Sequence, residues 1–355
     1  MNFRRFGFYR SVGRKRGTLH SVFLGLFCIL AFLLPPVAAG TADAVSELGS
    51  FSIFSKVDPA ELLTGDARTE QGPAMGGRFL SVQSCYAMPG PPARQLAALR
   101  RWNPAKHREL KVFLHGDLPG SPAPADFSKL KEAPSGGPVN AFVSATEKSS
   151  DELQISREEA KKFSGAAGGG AMPPAVVKFW GEVLAERTRL FVSGGTPAQS
   201  PYNHGGETIR PNDEIKTLLK QQDKVGRHFA DFLNNTAIGR GPGSLKPDLY
   251  WELLDVDDRG VVTLGGSYER PDSTGGEQMA DILYYASGGY YVALTLYQMW
   301  PVTIQGKPAT LIWRGDMISS ASLESLHGVE RLASESVMKK DIAKAIAVFR
   351  REAGR

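Results

Sequence analysis

The sequence predicts an α+β protein: a C-terminal antiparallel β-meander of four to five strands packed with helices, preceded by a smaller mixed α/β segment. Two observations carry this. Residues 250–318 hold short apolar, strand-like runs joined by connections of only a few residues, whereas parallel pairing needs a crossover of a dozen residues or more. Helical periodicity flanks these runs on both sides, and helices set beside an antiparallel sheet define the α+β class.

The chain opens on a targeting pattern. Arg4, Arg5, Arg10, Arg14, Lys15 and Arg16 precede the apolar run VFLGLFCILAFLL at 22–34, which ends at Pro35-Pro36 and the small residues Val37-Ala38-Ala39. A basic stretch, a short apolar core and a small-residue cleavage site make a secretory signal. The 13-residue run falls short of the roughly 20 residues that span a bilayer. Residues 1–39 therefore read as a signal peptide, cleaved near 39–44, which touches a membrane only in transit and sends the rest to the periplasm or exterior. A retained membrane anchor is the competing reading.

The whole chain carries +5, and removing six basic residues with that segment leaves −1. A near-neutral remainder lacks the basic patch that nucleic acid requires. Cys28 lies in the signal core, so Cys85 stands alone and closes no internal disulfide.

Residues 45–163 form the mixed α/β segment. Residues 78–88 (RFLSVQSCYAM) have strand character, residues 93–102 read as a short helix, and residues 110–115 (LKVFLH) as a second strand. Ser156-Arg157-Glu158-Glu159 is a capping box that opens a helix through Phe163. Residues 164–174 are a Gly/Ala-rich linker, with few side chains to bury and a high entropic cost of ordering. Residues 175–355 are the C-terminal α+β domain. It begins with a helix behind Pro173-Pro174, then a loop, then a helix over 214–234 capped by Asn212 or Asp213. Strands follow at 250–256, 261–268, 282–286, 290–304 and 309–318, and a helix with an apolar stripe of Met338, Ile342, Ala345, Ile346 and Phe349 closes the chain.

No motif specifies a reaction. The nucleophile elbow, the phosphate loop, the dinucleotide glycine fingerprint and the His-Glu-x-x-His zinc helix are all missing from the sequence, so neither a cofactor nor a metal is expected. Two places carry candidate binding groups. The loop Pro201-Tyr202-Asn203-His204-Gly205-Gly206-Glu207 brings a phenol, an imidazole and a carboxylate together, and loops are where binding groups concentrate. The second place is the hairpin of 290–304 and 309–318. Side chains alternate between faces along a strand, so Leu294, Trp300, Leu311, Trp313 and Met317 share a core face. Tyr291, Thr295, Tyr297, Arg314 and Asp316 share the other, which reads either as a solvated or helix-covered surface or as a cleft for a small molecule or glycan.

The expected function is a non-catalytic binding or structural role for an exported, soluble protein. The alternative is an exported hydrolase that works through the His204/Glu207 loop or the Arg314/Asp316 face. Cys85 with His107 or His115 as base is a further, weaker possibility, since a lone strand cysteine is more often a small buried hydrophobe.

Overall fold

The computed structural model describes residues 40–165 and 171–354. The predicted signal peptide lies outside them, as does the middle of the predicted linker. Eight antiparallel strands form one sheet: β1 (Arg68–Gln71), β2 (Phe79–Pro89), β3 (Val112–Leu118), β4 (Asp248–Val256), β5 (Arg259–Pro271), β6 (Glu277–Ala286), β7 (Val292–Ile304) and β8 (Lys307–Ser319), in the order β1-β2-β8-β7-β6-β5-β4-β3.

Antiparallel sheet and helices together make the protein α+β, and the sheet is wider than the sequence suggests. Strands β3–β8 pair in succession, and the β1–β2 hairpin adds to the free edge of β8. Strands from both sides of the Gly/Ala-rich stretch therefore share one sheet. The four polar residues of β1 (RTEQ) carry no apolar signal, and β2 is buried along nearly its whole length, so neither shows the alternation that marks a one-sided strand.

Two hairpins have sequence-encoded turns. Asp257 and Asp258 take φ +49° and +61°, and Gln305 and Gly306 take +51° and +74°. A two-residue turn with both φ values positive matches the right-handed twist of the flanking strands.

The helices are α1 (Thr41–Phe51), α2 (Pro59–Thr64), α3 (Pro92–Arg100), α4 (Gly137–Glu147), α5 (Arg157–Ala160), α6 (Pro174–Gly194), α7 (Pro211–Gln221), α8 (Asp223–His228), α9 (Ala230–Asn234), α10 (Ala321–Glu324) and α11 (Gly328–Ala353). The long helix expected over 214–234 is broken into α7, α8 and α9. Gln222 leaves helical geometry at φ −105°, ψ 52°, and its side-chain amide donates to Ser81 Oγ and the Pro73 carbonyl. A tertiary hydrogen bond thus interrupts a locally good helix. The Ser156–Glu159 capping box forms, but α5 lasts a single turn and stops before Phe163.

One sheet face carries the main core. Leu294, Trp300, Leu311, Trp313 and Met317 join residues of α1, α4, α6 and α7 in one apolar cluster. The opposite face carries a smaller cluster in which Tyr86, Met279, Tyr297, Met299 and Ile312 meet Ile342, Ile346 and Phe349 of α11 and Leu96 of α3. Helix α11 is held at both ends: Arg331 donates to the carbonyls of Met75, Gly77 and Phe79, and Arg350 to those of Leu62, Leu63 and Gly65. The sheet is thus covered on both sides, but α3 and α11 cover the second face only in part.

Candidate functional site

The part of the second face that α3 and α11 leave half-buried is where the polar groups converge. Register places Asp281 (β6), Thr295 (β7) and Asp316 (β8) in one row across three strands, with Tyr297 and Arg314 in the adjoining row. His115 of β3 pairs with Glu252 of β4 on the same face. Tyr250 links the two ends of this strip. Its ring lies over Gly265, where a Cβ would come within 2.1 Å of Cζ, so only glycine lets the phenol cross β5. The hydroxyl then donates to Asp281 Oδ1 at 2.6 Å.

The charges are mostly paired. Arg314 grips Asp316 with two hydrogen bonds of 2.8 and 2.6 Å, and Thr295 Oγ1 donates to the same carboxylate at 3.0 Å. The guanidinium stands 5.5 Å from the Tyr297 ring. Side-chain exposures of 19% for Arg314 and 8% for Asp316 make this a largely buried pair. His115 Nδ1 lies 3.0 Å from Glu252 Oε1 and its Nε2 lies 3.6 Å from Asp117. Burial opposes charge on this imidazole, but its hydrogen bond to Glu252 and the charges of Glu252 and Asp117 outweigh burial and raise its pKa.

Asp281 differs from the rest. Burial, reinforced by the Glu252 charge, pushes its carboxyl up to about 6 against the hydrogen bond from Tyr250 and the charges of Arg314 and His115. Burial also drives the Tyr250 phenol well above its ordinary value. A carboxyl poised near neutrality among other charged groups is a mark of functional sites as well as of structural networks.

Of the residues expected at the hairpin face, Thr295, Tyr297, Arg314 and Asp316 do share it, but Tyr297 is only 6% exposed and packs beneath α11 and α3. It supports Arg314 and offers no open stacking surface. Tyr291 lies just before β7, where the chain has not yet taken up strand alternation. Its ring turns to the main-core side, 6.1 Å from Tyr202 and 5.3 Å below the Arg78 guanidinium. Tyr202 is buried, donates its hydroxyl to the Tyr291 carbonyl and belongs to the core. Glu207 pairs with Arg78 at 3.4 Å, together with Glu214 and Glu324. His204 Nε2 sits 2.9 Å from the Ser149 carbonyl, so its ring fastens the loop to the segment after α4. The loop residues are thus taken up by separate structural contacts, Glu207 with Arg78, His204 with Ser149 and Tyr202 with the core.

Sequence reasoning missed Tyr250, Glu252 and Asp281, and treated His115 only as a partner for Cys85. Extending the face alternation from β7 back to β6 would have found Asp281, but the irregular segment 287–291 hides the register. A bulge between Leu264 and Gly265 does the same between β5 and β6. Cys85 projects to the other face and lies fully buried in the main core, with burial pushing its thiol up to about 12, which removes it as a nucleophile.

A second ion pair, Arg187 with Glu159 at 2.6 Å, is almost wholly inaccessible and sits against the Tyr285 ring at 4.2 Å. A cavity of about 750 Å³ opens beyond the strand ends beside Lys148, Glu152, Asp257 and Arg259. Its Glu152–Arg259 pair is well exposed, and it brings together no group with a perturbed pKa. Among the described residues no group of three or more His, Cys, Asp or Glu side chains is arranged to hold a metal ion, and no helix is long and apolar enough to cross a membrane. No protein family, curated protein or solved structure matches the chain.

Proposed function

We propose that this chain is an exported binding protein whose ligand, a small polar molecule or a glycan, lies on the strip formed by Tyr250, Glu252, Asp281, Thr295, Arg314 and Asp316. One observation carries the reading: a sheet covered by helices on both faces leaves only half-buried the place where its titratable side chains meet. Such groups are expensive to desolvate, and apolar residues of similar volume would serve stability as well or better. Their retention beside a half-open surface fits a site that orients a ligand. Binding is preferred to hydrolysis because the His204 ring is taken up by a backbone carbonyl and the Arg314/Asp316 pair is mutually saturated at the carboxylate. Export rests on the basic, apolar and small-residue pattern of residues 1–39.

Thermal-shift screening of the processed chain against small-molecule and glycan libraries tests the site. A ligand that stabilises the protein and fails to stabilise Glu252→Gln or Arg314→Lys supports the reading. Ligands that stabilise these variants as well as the parent place binding elsewhere and overturn it. Intact-mass analysis of the exported fraction tests the targeting: the N-terminus should fall between residues 40 and 45, and a full-length chain held in the membrane would refute cleavage.

A further inference from the structure

Resting on the reading of this strip as a ligand site, we infer that its ligand is a zwitterion of the aliphatic α-amino-acid class, with its carboxylate on Arg314 and its ammonium on Asp281. The argument is one of spare valence. Asp316 accepts two hydrogen bonds from Arg314 and one from Thr295, and Glu252 is engaged by His115. Among the described residues three charged atoms of the strip remain without a hydrogen bond: Nη1 of Arg314, whose Nε and Nη2 serve Asp316, Oδ2 of Asp281, whose Oδ1 serves Tyr250, and Oε2 of Glu252, whose Oε1 serves His115. The first is a cationic donor and the other two are carboxyl acceptors.

Their placement suits a compact ligand. Asp281 and Arg314 project from the same face of β6 and β8, with β7 between them and one row apart along the strands, which separates their Cα atoms by about 12 Å at ordinary strand spacing and rise. Two hydrogen bonds of about 2.9 Å and the short gap between the ammonium and carboxylate of an α-amino acid span about 8 Å in all. A ligand with a single charge satisfies only half of the pair.

The third feature sets the side chain. One row further along the same face, Leu283, Ala293 and Ile318 lie opposite one another across the three strands, each only half-buried. An aliphatic side chain resting there removes apolar surface from water on both partners. Asp281 also gains a charged donor at Oδ2, its Oδ1 being taken by Tyr250. Its carboxyl stands high because it is buried, against the charges of Arg314 and His115, and a further positive charge in contact with it favours the ionised form.

Isothermal titration of the processed full chain with leucine, 4-methylpentanoate and 3-methylbutylamine tests the inference. The last two keep the side chain and remove, respectively, the ammonium and the carboxylate. Leucine should bind, with each one-charge analogue weaker by about tenfold or more, as expected for losing a hydrogen bond to a charged group. Asp281→Asn should bring leucine down to the level of 4-methylpentanoate. Arg314→Lys, which keeps a cation beside Asp316 but removes the forked second nitrogen, should bring it toward that of the amine. Circular dichroism of both variants confirms that the fold persists. Equal affinity for leucine and either analogue, no binding of leucine, or leucine affinity unchanged in both variants overturns the zwitterion assignment. If leucine fails while a library compound or glycan binds the parent and is weakened by Arg314→Lys, the site stands and only its ligand class falls. If no compound is weakened by either variant, both readings fall.

Discussion

Replacing Asp281 by asparagine should stabilise the protein at neutral and alkaline pH and leave it unchanged in acid. In the unfolded chain this carboxyl titrates near 3.8, and in the fold burial lifts it to about 6. A difference of about two pKa units corresponds to on the order of 3 kcal/mol. The folded state holds the proton more tightly, so the favourable contribution is fully present below pH 3.8, declines as pH rises, and is lost above about pH 6. Asparagine stays neutral throughout and still offers an oxygen to the Tyr250 hydroxyl. Urea unfolding followed by tryptophan fluorescence at pH 4, 5, 6, 7 and 8 should show the two proteins matched at pH 4, with the variant ahead by about 3 kcal/mol at pH 8. His115, Glu252, Arg314 and Asp316 are present in both proteins, and their own titrations largely cancel in the difference. A gap that stays constant over this range, or a variant less stable than the parent at pH 8, would refute the assignment of a raised carboxyl at this position.

Other substitutions probe the rest of the architecture. Trp313→Ala and Leu294→Ala, both fully buried in the main core, should each cost about 3–5 and 2–5 kcal/mol respectively. Tyr297→Ala should cost about as much as Trp313→Ala, because the opposite face is covered at that point. Equilibrium denaturation compares all three, and a tolerated Tyr297→Ala would mean that α11 does not pack as described. Glu159→Gln should destabilise by about 3–5 kcal/mol in the same assay, since it strands the buried Arg187 guanidinium; a neutral effect would show that this ion pair contributes no more than its shape. The Cys85 thiol, pushed up to about 12, should resist a maleimide at pH 7 until urea unfolds the chain, and rapid labelling of the native protein would contradict its burial.

Within one hairpin, local chemistry is enough to determine the answer. The Gln305-Gly306 turn sets the register of β7 against β8, and strict alternation then sorts Leu294, Trp300 and Trp313 from Thr295, Arg314 and Asp316 without knowledge of any other element. The same holds for the Ser156–Glu159 capping box and the Asp257-Asp258 turn, whose partners lie within a few residues. The other decisive features depend on distant parts of the chain. Whether the polar face is solvated or covered was settled by α11, whose arginines reach carbonyls more than 250 residues away. The break at Gln222 came from Ser81, and the turn of Tyr291 toward the core from the loss of strand geometry before Val292. His115, Tyr250 and Asp281 meet Arg314 only because β3 through β8 pair in succession and Gly265 lets a phenol cross the strand between. Turns and caps are short-range contacts that form wherever their residues occur. A site assembled across strands, and the cover laid over it, follow from the one packing that buries both sheet faces.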